Sequence, residues 1–591
     1  MFRFSNGFLI FLLCRNVNIN MLISVILFIL NPAIGHAVDV LFKNRTTSYC
    51  IVVSPEASVT EKTAAEELKV YLGQISGADF KLSSSPKQRN IYVGYEKNYA
   101  VYHGISPYRN DSEGFTVKKI NHDLVIYGGK ERGTMYGVYR FLQEFLGVRW
   151  YTPDFTKVPP QKSYDLDNVF LSEKPRIKYR YTDFFCARNF SWLAHNTMNT
   201  LNDNRDNVYG ISSRYWGTHT MGRLLPADKY FKSHPEYFAY RYFHRIDNGQ
   251  LCLSNPDVLR IITKEIMSVI ERYPKYLFYD VSQNDNQKYC TCKSCAILEK
   301  KYGGHSGLMI WFVNQVARKV KKKYPNKYIG TFAYQYTRNA PSNIKPADNV
   351  VIRLCDIECC FAHPLSSGCC EKNVAFMKDL KDWSKLTKNL YIWDYIVNYS
   401  NYMAPFPNIH VLGPNLNTFA KHGAIGVFEE AQSATLGNAF EELKCWVVAQ
   451  LMWNTEQDTH TLVSQFVNDY YESSAKDIMD YYELCLSLID KNTYLSCFSD
   501  PTKVTFTDEF IDEAYTILNR ALKHAGNKTV YERVQKVMLQ PMALECARHP
   551  QEFYKKGKWP SFKKELLKYK SYFQSGVNPE KFINSFESKV N

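Results

Sequence analysis

Residues 277–295 read LFYDVSQNDNQKYCTCKSC, and this stretch is the starting point for predicting the fold. It opens with a short apolar run and then turns abruptly polar, with helix-like segments on both sides. That order is typical of a buried parallel strand that ends in a loop. Barrels of alternating strands and helices carry their chemistry at the C-terminal ends of the strands. The pattern therefore predicts that Asn284 and Asp285 lie at the mouth of a barrel.

The same order of strand, loop and helix repeats on both sides of this stretch. Asn255 followed by Pro256 is typical of a helix start, because proline lacks the N–H that the first helical turn leaves unpaired. We predict an α/β fold, a (β/α)8 TIM barrel over residues 171–458. Its strands are expected at 178–182, 251–253, 277–281, 329–334, 350–354, 390–395 and 425–428, with an eighth between 188 and 221. By this count 277–281 is the fourth strand.

Different patterns flank the barrel. Residues 38–170 predict a small α/β domain, in which Ser58 and Glu61 form a capping box at the start of a helix. From residue 459 the strands stop, and 459–591 predict a helical domain. The chain of 591 residues is long enough for several such cores.

The N-terminus predicts export. Residues 21–37 combine an apolar run with Gly35 and Ala37 at a small-x-small site, which is typical of a secretory signal within 1–37. An anchor or a misassigned start codon is the alternative. After cleavage we expect no transmembrane anchor, and a periplasmic, cell-surface or secreted protein. The net charge of +15 is dispersed over helix faces, so we expect a solvated surface and no nucleic-acid partner.

Three cysteines follow the polar loop in a C-x-C-x-x-C pattern: Cys290, Cys292 and Cys295. The spacing suits thiolate ligation of a structural zinc ion, with a fourth ligand from elsewhere in the chain. Candidates for that ligand are Cys355, Cys359, Cys360 and His363. A disulfide is the alternative in an exported protein.

Two regions resemble known families. Residues 128–151, GGKERGTMYGVYRFLQEFLGVRWY, resemble the domain that precedes the catalytic barrel of α-glucuronidases and β-hexosaminidases. SQNDN at 282–286, AYQYT at 333–337 and GVFE at 426–429 are similar to a bacterial group known as domain of unknown function 4838. Part of that group is classed as glycoside hydrolase family 163, whose members are endo-β-N-acetylglucosaminidases that act on N-glycans.

The resemblance implies an exported glycoside hydrolase that cleaves β-N-acetylglucosaminides, endo-acting on the N-glycans of a glycoprotein. Retention through the substrate's own acetamido group is expected, with no cofactor for catalysis. Asn284 would orient the acetamido group and Asp285 would be the acid/base, with Glu429 as the leading alternative acid. The expected sugar-binding residues are Tyr334, Gln335, Tyr336, Trp393, Asp394, Glu430 and His219, with Tyr395 as a stacking candidate.

Other interpretations remain open. Asn284 and Asp285 are also typical of a turn that caps a helix, and Glu429 of an acidic helix start. An α-glucuronidase-like enzyme would use two carboxylates directly on a substrate without an acetamido group. A non-catalytic glycan-binding protein, or a metal-dependent hydrolase that uses the cysteines, would also fit the fold.

Overall fold

The computed structural model describes residues 39–200, 207–210, 215–434, 436–503, 506–571 and 573–590. The predicted signal segment 1–37 lies outside these residues. The described chain forms an N-terminal α/β unit, a parallel barrel sheet and a C-terminal group of helices.

The N-terminal unit is a six-stranded sheet with two main helices on it. The sheet order is Phe170–Glu173, Phe115–Ile120, Asp123–Gly128, Arg89–Val93, Tyr49–Val53 and Lys81–Ser83. The expected capping box is present, because the Ser58 side chain accepts from the backbone N–H of Glu61 and the Glu61 side chain from that of Ser58. The helices are Val59–Ser76, Lys97–Tyr102 and Gly133–Glu144, and two strand pairs flank the sheet, Val40–Lys43 with Ser163–Asp165 and Arg149–Thr152 with Phe155–Lys157.

The barrel sheet is parallel throughout its seven described strands. We number these β1 (Tyr179–Thr182), β2 (Tyr215–Trp216), β3 (Phe278–Asp280), β4 (Tyr328–Ala333), β5 (Val350–Cys355), β6 (Leu390–Tyr395) and β7 (Ala424–Glu430). The order in the sheet is β1-β7-β6-β5-β4-β3-β2. With helices between successive strands, this is the TIM-barrel architecture that the sequence predicts.

One of the expected strands is absent, and the eighth lies in the region where it was expected. The expected strand 251–253 is wrong: Leu251 forms only an isolated bridge with Phe238, and the apolar run lies in a buried loop. A short buried apolar run looks the same in sequence whether it is a strand or a loop. The poorly defined eighth strand is β2. Beside β1, the backbone N–H of Thr200 donates to the carbonyl of Arg180 at 3.2 Å, just before the undescribed residues 201–206.

The inside of the barrel is filled with aromatic side chains, including Tyr179, Tyr215, Tyr391 and Phe428. Alternate residues along each strand point to the surrounding helices, as strand geometry requires. Glycine makes room for the rings. A Cβ at Gly330 would lie 1.4 Å from the Tyr215 hydroxyl oxygen.

Helices surround the barrel and then continue to the C-terminus. Those within the barrel region are Phe190–His195, Met221–Leu224, Ala227–Tyr230, Pro256–Arg272, Lys293–Tyr302, His305–Lys323, Glu371–Leu386, Ile409–Lys421 and Glu441–Trp453. The C-terminal helices are Thr459–Tyr471, Ala475–Ser487, Asp508–His524, Lys528–Arg548, Pro550–Lys555, Trp559–Tyr569 and Pro579–Val590. Among the described residues, no helix has the length and apolar character needed to cross a bilayer.

The C-terminal region closes one side of the barrel mouth. The backbone N–H of Tyr399 donates to the Cys497 carbonyl at 2.7 Å, and that of Ser575 donates to the Tyr399 carbonyl at 2.9 Å. Segments distant in sequence are thus fixed beside the loop that follows β6, where they contribute to the cavity described next.

Candidate active site

A cavity of about 710 Å³ opens at the C-terminal end of the barrel strands. This volume and position are typical of a small-molecule site in a TIM barrel. Carboxyl groups of Asp183, Asp285 and Glu430 reach it, and Arg353 lies in its wall. Many aromatic side chains also line it: Tyr181, Tyr215, Phe332, Tyr334, Tyr391, Trp393, Tyr395, Tyr399, Tyr402, Phe428 and Phe498.

Glu430 ends β7 and faces the cavity. The indole N–H of Trp393 donates to its Oε2 at 2.6 Å. Burial raises the pKa of Glu430 to about 7, and the hydrogen bond from Trp393 limits the rise. A carboxylic acid with such a pKa is half protonated at neutral pH and can donate a proton to a leaving group.

Asp183 directly follows β1 and lies near Glu430. Its Oδ1 accepts from the backbone N–H of Ala431 at 2.7 Å. Burial, followed by the negative charge of Glu430, raises the pKa of Asp183 to about 8. The charge of Glu430 therefore disfavours ionisation of Asp183, and both carboxyl groups have pKa values near or above neutral pH.

Asp285 lies on another side of the cavity, in the loop that follows β3, and its side chain is exposed. The Tyr334 hydroxyl donates to its Oδ1 at 3.1 Å, and the Gln335 amide donates to the Tyr334 oxygen at 2.8 Å. Burial raises the pKa of Tyr334 above its usual range, so the hydroxyl keeps its proton. Asp285 and Tyr334 thus present an acceptor and a donor side by side.

His219 also lines the cavity, and its ring is oriented by the backbone. Nδ1 lies 2.8 Å from the Gln283 carbonyl oxygen, so that nitrogen carries the proton and Nε2 is left as an acceptor. Both His219 (φ 51°) and Gln335 (φ 50°) adopt left-handed backbone conformations, which cost energy for side chains of this size. Such conformations are concentrated at functional sites.

Arg353 is 4% exposed and lies among the rings at the base of the cavity. Its guanidinium carbon is 3.9 Å from the Tyr215 ring centroid and 4.3 Å from that of Trp393. Nη1 lies 3.9 Å from Oδ1 of Asp280. Within the described part of the chain, Nε and Nη1 have no hydrogen-bond acceptor. The base of the cavity therefore carries positive charge.

The structure brings five of the sequence-predicted site residues together at this cavity: Asp285, Tyr334, Trp393, Glu430 and His219. The stacking candidate Tyr395 lies there too. Gln335 is not among the residues that line the cavity, but its side-chain amide donates to the hydroxyl oxygen of Tyr334, which is one of them.

Asn284 does not reach the cavity lining. Its Oδ1 accepts from the backbone N–H of Gly222 at 2.8 Å, and its Nδ2 donates to the Gly249 carbonyl at 2.9 Å. With both ends of the amide engaged, Asn284 holds two loops together. The expected Asn284–Asp285 pair therefore does not form one binding surface.

Glu429 and Asp394 also lie elsewhere than the sequence predicts. Both are buried and point away from the barrel interior, on the faces opposite Glu430 and Trp393. The negative charges of Asp394 and Glu429, after burial, raise the pKa of nearby Asp356. This carboxyl cluster of Asp356, Asp394 and Glu429 lies between the strands and the outer helices, so the placement of Glu429 does not fit the expected role of catalytic acid.

Tyr336 also lies elsewhere. Its ring packs against those of Tyr289 and His305, with centroids 5.3 and 5.7 Å away. Sequence reasoning missed Asp183 and Arg353. A polar residue directly after a predicted strand, and a charge inside the apolar run VVIRLC, were the available signals.

The cysteines of the predicted metal cluster lie beneath the Asp285 loop. Cys290, Cys292 and Cys295 are joined by Cys252, and their four sulfur atoms lie within 4.8 Å of one another. The expected fourth partners Cys355, Cys359, Cys360 and His363 are not part of this group. Cys252 was missed because its segment looked like a strand.

Comparison with known proteins agrees with this architecture. The model of the family described as "Domain of unknown function (DUF4838)" matches residues 150–483, more than half of the chain. The chain belongs to this DUF4838 family. The model "Glycosyl hydrolase family 67 N-terminus" matches residues 41–141, the N-terminal unit. Among curated proteins, no sequence matches.

Several solved structures are similar to this DUF4838 protein. A GH115 4-O-methyl-α-glucuronidase with specificity for decorated arabinogalactans has a TM-score of 0.51 at 13% identity, covering 86% of this chain and 72% of that one. A GH138 enzyme targeting pectin rhamnogalacturonan II has a TM-score of 0.47 at 10% identity, covering 92% and 98%. A β-N-acetylhexosaminidase from Bacteroides fragilis has 0.40 at 10%, covering 70% and 88%. At 13% identity the likeness to the GH115 enzyme is one of fold.

Proposed function

We propose that this protein is an exported glycoside hydrolase that cleaves β-N-acetylglucosaminide linkages, endo-acting on N-glycans. The observation that carries the proposal is the cavity itself, a pocket with aromatic side chains at a barrel mouth, in which the pKa values of Asp183 and Glu430 are raised to near neutral pH or above. Aromatic faces stack on sugar rings. Glycosidic cleavage needs a protonated acid at the leaving oxygen and a group that stabilises the positive centre.

In this proposal Glu430 is the general acid. Its pKa of about 7 keeps a proton available near neutrality, whereas an ordinary glutamate would have lost it. Glu430 takes the role for which the sequence predicted Asp285, with Glu429 as the leading alternative.

The pair Asp285 and Tyr334 supports the choice of an N-acetyl sugar. An acetamido group has one N–H donor and one carbonyl acceptor. The Asp285 carboxylate can accept from the N–H while the Tyr334 hydroxyl, now 3.1 Å from Asp285, turns to donate to the carbonyl. Held in this way, the acetamido oxygen is positioned to attack the anomeric carbon, which gives retention without a protein nucleophile. All the groups required are side chains, so no cofactor takes part.

The test is incubation of the purified protein with a complex N-glycoprotein, with released glycans read by mass spectrometry. We expect release of an intact oligosaccharide cut at an N-acetylglucosamine, and inhibition by a thiazoline that mimics the cyclised acetamido group. Absence of release from N-glycoproteins and no inhibition by the thiazoline would overturn this proposal.

A second candidate is a glycosidase for an acidic sugar, similar in chemistry to an α-glucuronidase. Arg353 favours it, because a guanidinium group in the cavity wall suits a sugar carboxylate. Such an enzyme would use two carboxyl groups directly. Turnover of aryl glucuronides that is insensitive to the thiazoline would decide for this candidate.

A further inference from the structure

Four thiols from two separate loops converge beneath the Asp285 loop. Cys252 precedes the helix Pro256–Arg272, and Cys290, Cys292 and Cys295 follow β3. Sγ of Cys252 lies 3.7 Å from that of Cys292 and 3.8 Å from that of Cys295. A tetrahedral ion with metal–sulfur bonds of 2.3 Å requires sulfur atoms about 3.8 Å apart. The spacing is therefore that of a zinc site.

The surroundings of the sulfur atoms suit thiolates. The backbone N–H of Tyr240 donates to Sγ of Cys290 at 3.3 Å, and the Arg245 guanidinium lies 3.7 Å from the same sulfur. Cys292 is the N-cap of the helix Lys293–Tyr302, and Cys295 lies in its first turn. Donors, a cation and a helix N-terminus all offset the net negative charge that four thiolates leave around one divalent ion.

A disulfide explains this arrangement poorly. A disulfide needs two sulfur atoms about 2.05 Å apart, whereas Sγ of Cys252 lies 3.7 Å from that of Cys292 and 3.8 Å from that of Cys295. A disulfide would also join one pair and leave the other thiols pressed against it. Every cysteine in the described part of the chain is a free thiol.

We propose that Cys252, Cys290, Cys292 and Cys295 bind one zinc ion. With four protein ligands the tetrahedral shell is closed, so the ion has a structural role and does not contact substrate. The thiols release their protons on binding, and the ion joins the loop before Pro256–Arg272 to the loop after β3.

This site would position Asp285. Gln250, two residues before Cys252, accepts from the backbone N–H of Asn284 at 2.9 Å and donates to its carbonyl at 2.8 Å. A metal bound at Cys252 would thus fix the segment that carries Gln250, and the Gln250 side chain holds the backbone of Asn284, the residue just before Asp285. This consequence for activity rests on the proposed function, whereas metal binding does not.

The first test is the zinc content of the full chain, purified under reducing conditions without a histidine tag and measured by mass spectrometry. We expect about one zinc ion per chain, and several-fold less in Cys252→Ser. The control is Cys369→Ser, an exposed cysteine outside the cluster, which should keep the ion. Wild-type protein that carries almost no zinc after expression in zinc-supplemented medium, and takes up none when reduced and dialysed against it, would overturn the proposal.

Because Cys252→Ser can fail to fold, the wild-type protein supplies a second test. Titration with a mercurial thiol reagent, followed with a chromophoric zinc indicator, should release zinc as the cluster thiols react. Cobalt substitution should give the intense sulfur-to-metal charge-transfer bands of tetrahedral thiolate coordination. Reaction of the cluster thiols without zinc release, or cobalt bands lacking thiolate character, would contradict it. Failure of glycan release with zinc present would count against the proposed function alone.

Discussion

Glu429 and Glu430 are adjacent in sequence and lie on opposite faces of β7. Glu430 faces the cavity and accepts from Trp393, whereas Glu429 is fully buried with Asp394 and Asp356. Strand geometry alone separates them, because neighbouring side chains of a strand point to opposite sides. Two glutamates that the sequence presents as a pair therefore have different environments.

Glu430→Gln should lower kcat by about 10²–10⁴-fold, the usual contribution of a general acid. The matched control is Glu429→Gln, one residue away, which should retain close to the wild-type rate. Both are measured as initial rates of glycan release at pH 6. Equal losses in the two variants, or no loss in Glu430→Gln, would remove Glu430 from the mechanism.

Glu429→Gln should instead change stability. Burial raises the pKa of Glu429, and that of Asp394 to about 6, so the folded state binds protons that the unfolded state has released. Stability is then lost as pH rises from the unfolded pKa values to the folded ones. Removing one carboxyl should therefore raise the free energy of unfolding at pH 8 and change it little at pH 4. Urea unfolding at the two pH values checks this; a variant less stable than wild type at pH 8 would contradict it.

The pKa of Glu430 also predicts how the rate of the reaction depends on pH. A general acid must be protonated, and the pKa of Glu430 is raised to about 7. We expect kcat/KM to fall tenfold per pH unit above about pH 7 and to lose this limb in Glu430→Gln. A profile that stays flat up to pH 9 would show that another group donates the proton.

At the scale of the element, the barrel strands depend on glycines that admit aromatic rings. Gly330 in β4 faces Tyr215, and Gly426 in β7 faces Tyr391, whose ring lies 2.3 Å from where a Cβ would be. Both tyrosines line the cavity. Gly330 and Gly426 thus leave the space in which the rings of Tyr215 and Tyr391 line the cavity.

Gly330→Ala should destabilise the protein by at least about 1–3 kcal/mol, because the new methyl group overlaps the Tyr215 hydroxyl and the core must shift. Gly73→Ala is the control. It lies inside the helix Val59–Ser76, where the nearest atom to a Cβ is the Ala78 carbonyl oxygen at 3.6 Å. That change should stabilise by about 0.5–1 kcal/mol. Thermal unfolding of both variants would test the contrast; unchanged stability in Gly330→Ala would contradict it.

At the scale of the whole molecule, a buried ion cluster joins the N-terminal unit to the barrel. Glu113 of the N-terminal unit lies 2.8 Å from Arg180 of β1 and 2.6 Å from Arg132. The Asn199 amide donates to the same carboxylate at 2.9 Å. The positive charges of Arg180 and Arg132 hold the pKa of Glu113 below its usual range despite its burial. The buried charge of Arg180 is therefore neutralised by Glu113 only when the N-terminal unit packs against the barrel.

Glu113→Ala should cost about 3–5 kcal/mol, because it leaves the wholly buried Arg180 without its carboxylate partner. Asp111→Ala removes an exposed carboxylate from a pair with Arg109 two residues away and should change stability little. Chemical denaturation of both variants gives the comparison. Similar midpoints for the two would show that the buried cluster does not stabilise the interface.

Much of the fold could be predicted from the sequence because it rests on local pattern. Alternating apolar strands and amphipathic helices indicated the barrel, and six of the seven described strands lie where expected, with β2 in the region left open. The segment 251–253 could not be predicted, since a buried loop and a buried strand share one apolar pattern. For the site, Asp285, Tyr334, Trp393 and Glu430 were found because each lies at or just after the end of a predicted strand.

The sequence by itself determined the order of the units, the barrel, the DUF4838 resemblance and the cysteine triplet, because each is written in neighbouring residues. Only the tertiary structure decided which acids face the cavity. Strand register directs Glu430 inward and Glu429 outward, and it brings Asp183 to Glu430 across nearly 250 positions of chain. It likewise added Cys252 to the three cysteines near residue 290. Long-range contacts of this kind depend on packing, which no local sequence pattern records.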